Sequence, residues 1–172
     1  TYYQAFKAFN TRENMDNYVM KAFSKEQLLA EMRDQQASFY FGIYQNQRIG
    51  YLKLNEYETS SEGHQGPSVE IQRLYVQSDA QNLGMGHFLM EEAIKIARYK
   101  GFIFMWLGVW EHNEKALRFY ETFNFEHIGS SVTGAKFRQG GVIEKNGFTF
   151  DEKEYTIYEF TKKFFGVGVY EP

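Results

Sequence analysis

Gln81-Asn82-Leu83-Gly84-Met85-Gly86 lies between a β-rich stretch at 69–77 and an amphipathic stretch of helical period at 87–100. Glycines at a strand-to-helix turn let the backbone approach an anion with no β-carbon in the way. The free N–H groups of the first helical turn then point at that anion. The segment reads as a cradle for a diphosphate. A dinucleotide-binding turn would need a third glycine three residues beyond Gly86, where the chain has Leu89. A Walker loop would need Gly-Lys-Ser/Thr, and Gly86 is followed by His87.

Downstream, the helix sets Leu89, Ala93, Ile94, Ile96 and Ala97 on one side and Glu91, Glu92, Lys95 and Arg98 on the other, and Gly101 stops it. Residues 102–110 read as a buried strand. Asn113 then caps a helix carrying Ala116, Leu117, Tyr120 and Phe123, and Asn124 suits a left-handed C-cap. Upstream, 2–9 and 24–34 read as helices, the second with a capping box of Ser24 and Gln27 and a stripe of Leu28, Leu29 and Met32. Residues 38–44 and 48–56 alternate apolar and polar side chains around Gln45-Asn46-Gln47, a hairpin signal. A loop at 59–67 leads to a strand over 68–77, and two more strands are expected at 126–132 and 153–161. This alternation gives an α/β fold.

The 172 residues fit one domain spanning 1–172. A net charge of −3 and the lack of a basic run argue against a nucleic-acid partner and suit a cationic small molecule. The longest apolar run, 101–110, is too short to cross a bilayer, so no membrane partner is expected. Zero cysteines exclude disulfides and an acetyl-cysteine intermediate. His64, His87, His112 and His127 show no ligand spacing, so no metal is expected. No charged leader precedes an apolar run, which leaves the cytoplasm as the default compartment, and the missing initiator Met suggests a trimmed start.

The six residues of the cradle fit Gln/Arg-x-x-Gly-x-Gly/Ala and resemble the pyrophosphate loop of the Gcn5-related (GNAT) acetyltransferases. Leu74-Tyr75-Val76 resembles the end of that family's fourth strand, and Asn113-x-x-Ala116-x-x-Phe119-Tyr120 with Asn124-Phe125 resembles its second cofactor motif. Two matched motifs in the right order are far more specific than one Gly-x-Gly turn. Within the family, 70–76 and 106–111 are most similar to the bacterial Pai-type spermidine/spermine N-acetyltransferases. The resemblance covers most of 1–128. It implies a mixed central sheet, splayed between the family's fourth and fifth strands and flanked by helices. Its first strand has no counterpart here. Residues 134–152 are an atypical insertion and 164–172 an unassigned tail.

The resemblance further implies acetyl-CoA as acetyl donor, held by Leu74, Tyr75, Val76, Gln81, Asn82, Leu83, Gly84, Met85, Gly86, His87, Asn113, Lys115 and Tyr120. A primary amine must lose a proton before it attacks a thioester. Glu70 resembles the base of the histone-acetylating branch, with pairing to Arg73 or a backbone donor as its structural alternative. Tyr120 resembles the acid that protonates the leaving thiolate, with core packing as its alternative. Asn113 reads equally as an N-cap. The implied acceptor is a small amine such as spermidine or spermine, for which Glu56, Glu58, Glu62 and Glu111 offer carboxylates and Phe39, Phe41, Tyr51 and Tyr57 apolar walls. Each of these also reads as a solvated acid or a core residue. Acetylation of a protein N-terminus or lysine and a non-catalytic acyl-CoA sensor are the alternatives, and a homodimer is compatible with the resemblance.

Overall fold

The computed structural model describes residues 12–57, 66–133 and 155–163, with side chains for all of these except 14, 129–133 and 155–163. Among the described residues four helices are formed: α1 (Arg12–Ala22), α2 (Lys25–Arg33), α3 (Met85–Tyr99) and α4 (Glu114–Glu121). The strands are β1 (Ala37–Tyr44), β2 (Gln47–Tyr57), β3 (Ser68–Val76), β4 (Phe104–Trp110), β5 (Glu126–Thr133) and β6 (Tyr155–Lys163). The chain divides into two compact units, Thr1–Ala37 with Gly108–Phe160, and Ser38–Leu107 with Thr161–Pro172. Strand order is β1-β2-β3-β4 in the second unit and β4-β6-β5 in the first.

In the second unit β2 and β3 are antiparallel, and β3 and β4 are parallel, so the sheet is mixed. Positive φ at Gln45 (45°) and Asn46 (62°) closes the β1–β2 hairpin where the sequence places it. One sheet face is apolar because Leu52, Leu54, Val69 and Ile71, all at most 4% exposed, share it through the β2–β3 register. Helix α3 supplies Leu89, Met90, Ala93 and Ala97, each at most 2% exposed, at the three- and four-residue spacing that keeps them on one stripe. Each fully buried Leu contributes roughly 1.5–3 kcal/mol relative to an exposed one. The helix ends at Gly101, whose φ of +77° lets Phe102 N–H reach back to the Ala97 carbonyl at 3.0 Å.

In the first unit α2 starts as expected, with Ser24 Oγ accepting from Gln27 N–H at 3.1 Å. The Gln27 amide goes instead to Glu31 Oε1 at 3.1 Å, so only half of the capping box is built. Helix α1 has no counterpart among the sequence expectations. Its signal is thin: Met15, Tyr18 and Ala22 are buried at helical spacing, but they are diluted among charged and amide residues. The expected helix at 2–9, the loop at 59–65 and the segments 134–152 and 164–172 lie outside the described residues. Among the described residues no helix is long and apolar enough to cross a membrane.

Leu54→Ala should cost about 2–5 kcal/mol, since Leu54 is fully buried between the sheet and α3. A urea titration showing less than about 1 kcal/mol would place Leu54 outside the core that positions α3.

Candidate active site

The β2–β3 ladder pairs Lys53 with Arg73 and then Leu54 with Ile71, which leaves Gln72 as an extra residue in β3. This is a β-bulge, and it changes which residues share a face. Ser68 and Glu70 stand opposite Tyr57 and Asn55, and beyond the bulge Arg73 and Tyr75 stand opposite Lys53 and Tyr51. All eight lie on the sheet face away from α3. The parallel ladder to β4 runs only over Ser68↔Phe104, Val69↔Met105 and Glu70↔Trp106, although β3 continues to Val76. Leu74, Tyr75 and Val76 lie past the end of that ladder.

Glu70 is therefore at the last rung of the parallel ladder. It is 3% exposed. Its Oε2 accepts from Asn55 Nδ2 at 2.9 Å and from the Tyr57 hydroxyl at 3.1 Å. Two donors offset part of the desolvation cost of a carboxylate at such a position. The Tyr57 ring in turn lies 5.9 Å from Trp106. Asn55 as a holder of Glu70 is not legible in the sequence, because the pairing of 55 with 70 depends on where the bulge falls.

After β3, residues Ser78–Leu83 form a 3-10 segment, so Gln81, Asn82 and Leu83 lie in a short helix, where the sequence predicts an open turn. Gly84 ends that segment and begins α3 with φ +76° and ψ 2°, a left-handed conformation costly to any residue with a β-carbon. A β-carbon built there meets nothing within 4 Å. The space over Gly84 is open, as a seat for an anion requires. The helix starts at Met85, two residues before the expected position, so Gly86 and His87 belong to its first turn, at the electropositive end of the helix dipole. The residues of the cradle thus fit a bound diphosphate.

Helix α4 carries the second motif in the first unit. Asn113 caps it, its Oδ1 accepting from Ala116 N–H at 3.3 Å, which bears out the N-cap reading. Lys115 is exposed, and Asn124 takes the left-handed conformation at φ 56°. Tyr120 packs against Phe119 at 5.3 Å and Phe125 at 5.9 Å between ring centres. Burial pushes its hydroxyl pKa up to about 12.

Of the acids expected to receive a polyamine, Glu56 and Glu111 lie among the described residues, in different compact units. Glu56 Oε1 pairs with Lys100 Nζ and accepts from Ser38 Oγ at 2.9 Å, and its place in the ladder puts it on the α3 face, opposite to Glu70. Glu111 is 3.8 Å from His112 Nε2, and Glu58 and Glu62 lie outside the described residues. Phe39, Phe41 and Tyr51 stack on the Glu70 face, with ring centres 6.3 and 5.8 Å from Tyr51. Lys53 and Arg73 share that face at 3% and 5% exposure. Among the described residues no cluster of His, Asp or Glu could hold a metal ion.

A mixed sheet whose central strand leads through a glycine turn into a helix N-terminus suits a ligand that carries a diphosphate. The family model described as the acetyltransferase (GNAT) family matches residues 3–125, and the chain belongs to that family. A protein of Lactobacillus delbrueckii subsp. lactis, described as an uncharacterised N-acetyltransferase in the pepI 3′ region, is 33% identical over 132 residues, 77% of this chain and 76% of its own. Among solved structures, PaiA N-acetyltransferase from Thermoplasma acidophilum in complex with coenzyme A has a TM-score of 0.70 at 20% identity, covering 95% of this chain and 86% of that one. A ribosomal-protein-alanine N-acetyltransferase from Brucella melitensis has a TM-score of 0.62 at 15% identity, covering 88% and 91%. At these identities the two structures show the shared fold.

Gly84→Asn should separate backbone from ligand effects, because Asn tolerates positive φ while its side chain enters the open space above the turn. The expected result is a melting temperature near that of wild type and an acetyl-CoA Kd raised at least tenfold. An unchanged Kd would remove Gly84 from the anion site.

Proposed function

We propose that this enzyme transfers an acetyl group from acetyl-CoA to a primary amine of a small acceptor, by direct attack within a ternary complex. The observation that carries this reading is the succession along one strand–turn–helix unit: Glu70 at the last rung of the parallel ladder, then Leu74–Val76 beyond it, then the open cradle at Gly84. Backbone groups of Leu74, Tyr75 and Val76 would take the pantetheine arm as an added strand. The N–H groups at Gly84 to His87, with Gln81, Asn82 and Leu83 leading into them, would take the diphosphate. Asn113 and Lys115 are assigned to the cofactor by resemblance to the second motif.

In this reading the Glu70 carboxylate takes the proton that the acceptor ammonium must lose, the amine nitrogen bonds to the acetyl carbon, and as the carbon–sulfur bond breaks the second proton of the attacking nitrogen passes to the departing sulfur, leaving an amide and the thiol of CoA. Asn55 and Tyr57 hold the carboxylate on the sheet face where the amine would arrive. The Tyr120 hydroxyl serves the departing sulfur. With a pKa of about 12 it stays protonated through any working pH and remains a donor. A hydroxyl made less acidic by burial does not surrender its proton readily, so it acts first by hydrogen bonding to the developing charge.

A polyamine such as spermidine or spermine is the acceptor suggested by the Pai-type resemblance. A second reading, an amine that carries a neutral or anionic group such as a peptide N-terminus, is favoured by Lys53 and Arg73, two buried cations facing each other on the Glu70 side of the sheet. Thiol release from acetyl-CoA across a panel of polyamines, monoamines, amino acids and peptides decides between them. Binding of acetyl-CoA with no turnover on any amine would overturn the enzymatic reading in favour of a sensor.

Glu70→Gln should depress turnover most at neutral pH and recover part of it as pH rises and free amine becomes abundant. A pH profile parallel to wild type would assign Glu70 to structure alone. Tyr120→Phe should keep the acetyl-CoA Kd within a few fold and lower kcat roughly ten- to a thousandfold, since the ring that packs on Phe119 and Phe125 survives and only the hydroxyl is lost. Wild-type turnover in that variant would return Tyr120 to the core.

A further inference from the structure

The cradle sits at the first turn of α3, and its position depends on how that turn rests on the sheet. Met85, between the two cradle glycines, is the first residue of α3 and is 7% exposed. It points onto two strand positions that lack side chains. A β-carbon on Gly42 of β1 would overlap Met85 Sδ and lie 3.1 and 3.2 Å from Cγ and Cε. A β-carbon on Gly50 of β2 would lie 2.8 Å from Met85 Cγ and 2.8 Å from Leu89 Cδ1. Neither glycine has positive φ. Room for Met85 is therefore what these two positions provide, and backbone freedom is not at issue.

We propose that Gly42 and Gly50 form a seat for Met85 that fixes the height of the cradle over the sheet, which makes Gly42 a positioning residue for the diphosphate. This rests on the reading of the Gly84 turn as the acetyl-CoA cradle. Met85 follows Gly84 directly and precedes Gly86, so any shift of its backbone shifts the N–H groups on either side. Hydrogen bonds from N–H to oxygen hold only over about 2.7–3.2 Å, and a displacement of an ångström removes them. Leu89, one turn further and 2% exposed, anchors the helix behind Met85, so a clash at Gly42 acts on the helix's leading turn. A thioether can bend away from an obstacle, and that is the competing outcome.

Coenzyme A binding by isothermal titration, well below each variant's melting temperature, tests the seat. Gly42→Ala should raise the Kd at least tenfold. In a Met85→Ala background the same substitution should change the Kd less than threefold, because the atoms it would strike are gone. The inference is overturned if Gly42→Ala binds as wild type does, or if its loss is the same with and without Met85. Should Gly42→Ala fail to fold, Met85→Ile gives the second test: a branched β-carbon cannot enter the seat as the straight thioether does. A tenfold weaker Kd supports the seat and an unchanged one overturns it. A wild-type chain that binds no coenzyme A would instead overturn the functional reading beneath the inference.

Discussion

Strand β3 keeps its parallel partner only from Ser68 to Glu70, and the candidate site follows from that early end. A strand inside a sheet has its backbone donors and acceptors committed on both sides. One that outruns its neighbour can accept an extended ligand as a further strand. The bulge at Gln72 acts with this. It keeps the apolar residues of β2 and β3 against α3 on one face, while it brings Arg73 to the side that already holds Glu70. One inserted residue thus separates a face that builds the core from a face that carries charge.

That charged face is costly to build, and its composition bears on the acceptor. Glu70, Lys53 and Arg73 are each at most 5% exposed, where a charge without compensation would be strongly destabilising. Asn55 and Tyr57 serve the carboxylate, the Phe39 ring lies 5.4 Å from the Lys53 ammonium, and the Tyr51 hydroxyl accepts from Arg73 at 3.5 Å. The neighbouring acid Glu56, which from sequence looks available to a second ammonium, is held on the opposite face by Lys100. Strand alternation decides this, and it acts against reading acids near a motif as a shared pocket.

Most of the architecture was legible because its signals are local. The Gly-x-Gly turn, the period of α3, the Asn113 cap and the alternation of β1 and β2 each arise from a few adjacent residues, and they appear within two or three residues of where sequence places them. Helix α1 was missed because its apolar residues are sparse, and its stability comes from tertiary burial of Met15 and Tyr18. The 3-10 segment at Ser78–Leu83 was missed because nothing in its composition separates it from an open turn. At the candidate site, the left-handed Gly84 turn and the Asn113 cap were legible, but side-chain partners were not. Asn55 meets Glu70, and Met85 meets Gly42, across sequence distances that only register and packing determine.

The central claim is that an open glycine turn at the head of α3 binds the diphosphate of acetyl-CoA and so brings the thioester to the end of β3. Its most direct measurement is a calorimetric comparison of acetyl-CoA with S-acetylpantetheine, which keeps the thioester arm and lacks the diphosphate and nucleotide, together with 3′-dephospho-acetyl-CoA, which keeps the diphosphate. The predicted result is binding of both diphosphate-bearing ligands within about tenfold of each other and loss of at least a hundredfold in affinity for S-acetylpantetheine, about 2.7 kcal/mol by the affinity relation. Equal affinity for S-acetylpantetheine and acetyl-CoA would contradict the account, because the cradle would then contribute nothing to holding the donor.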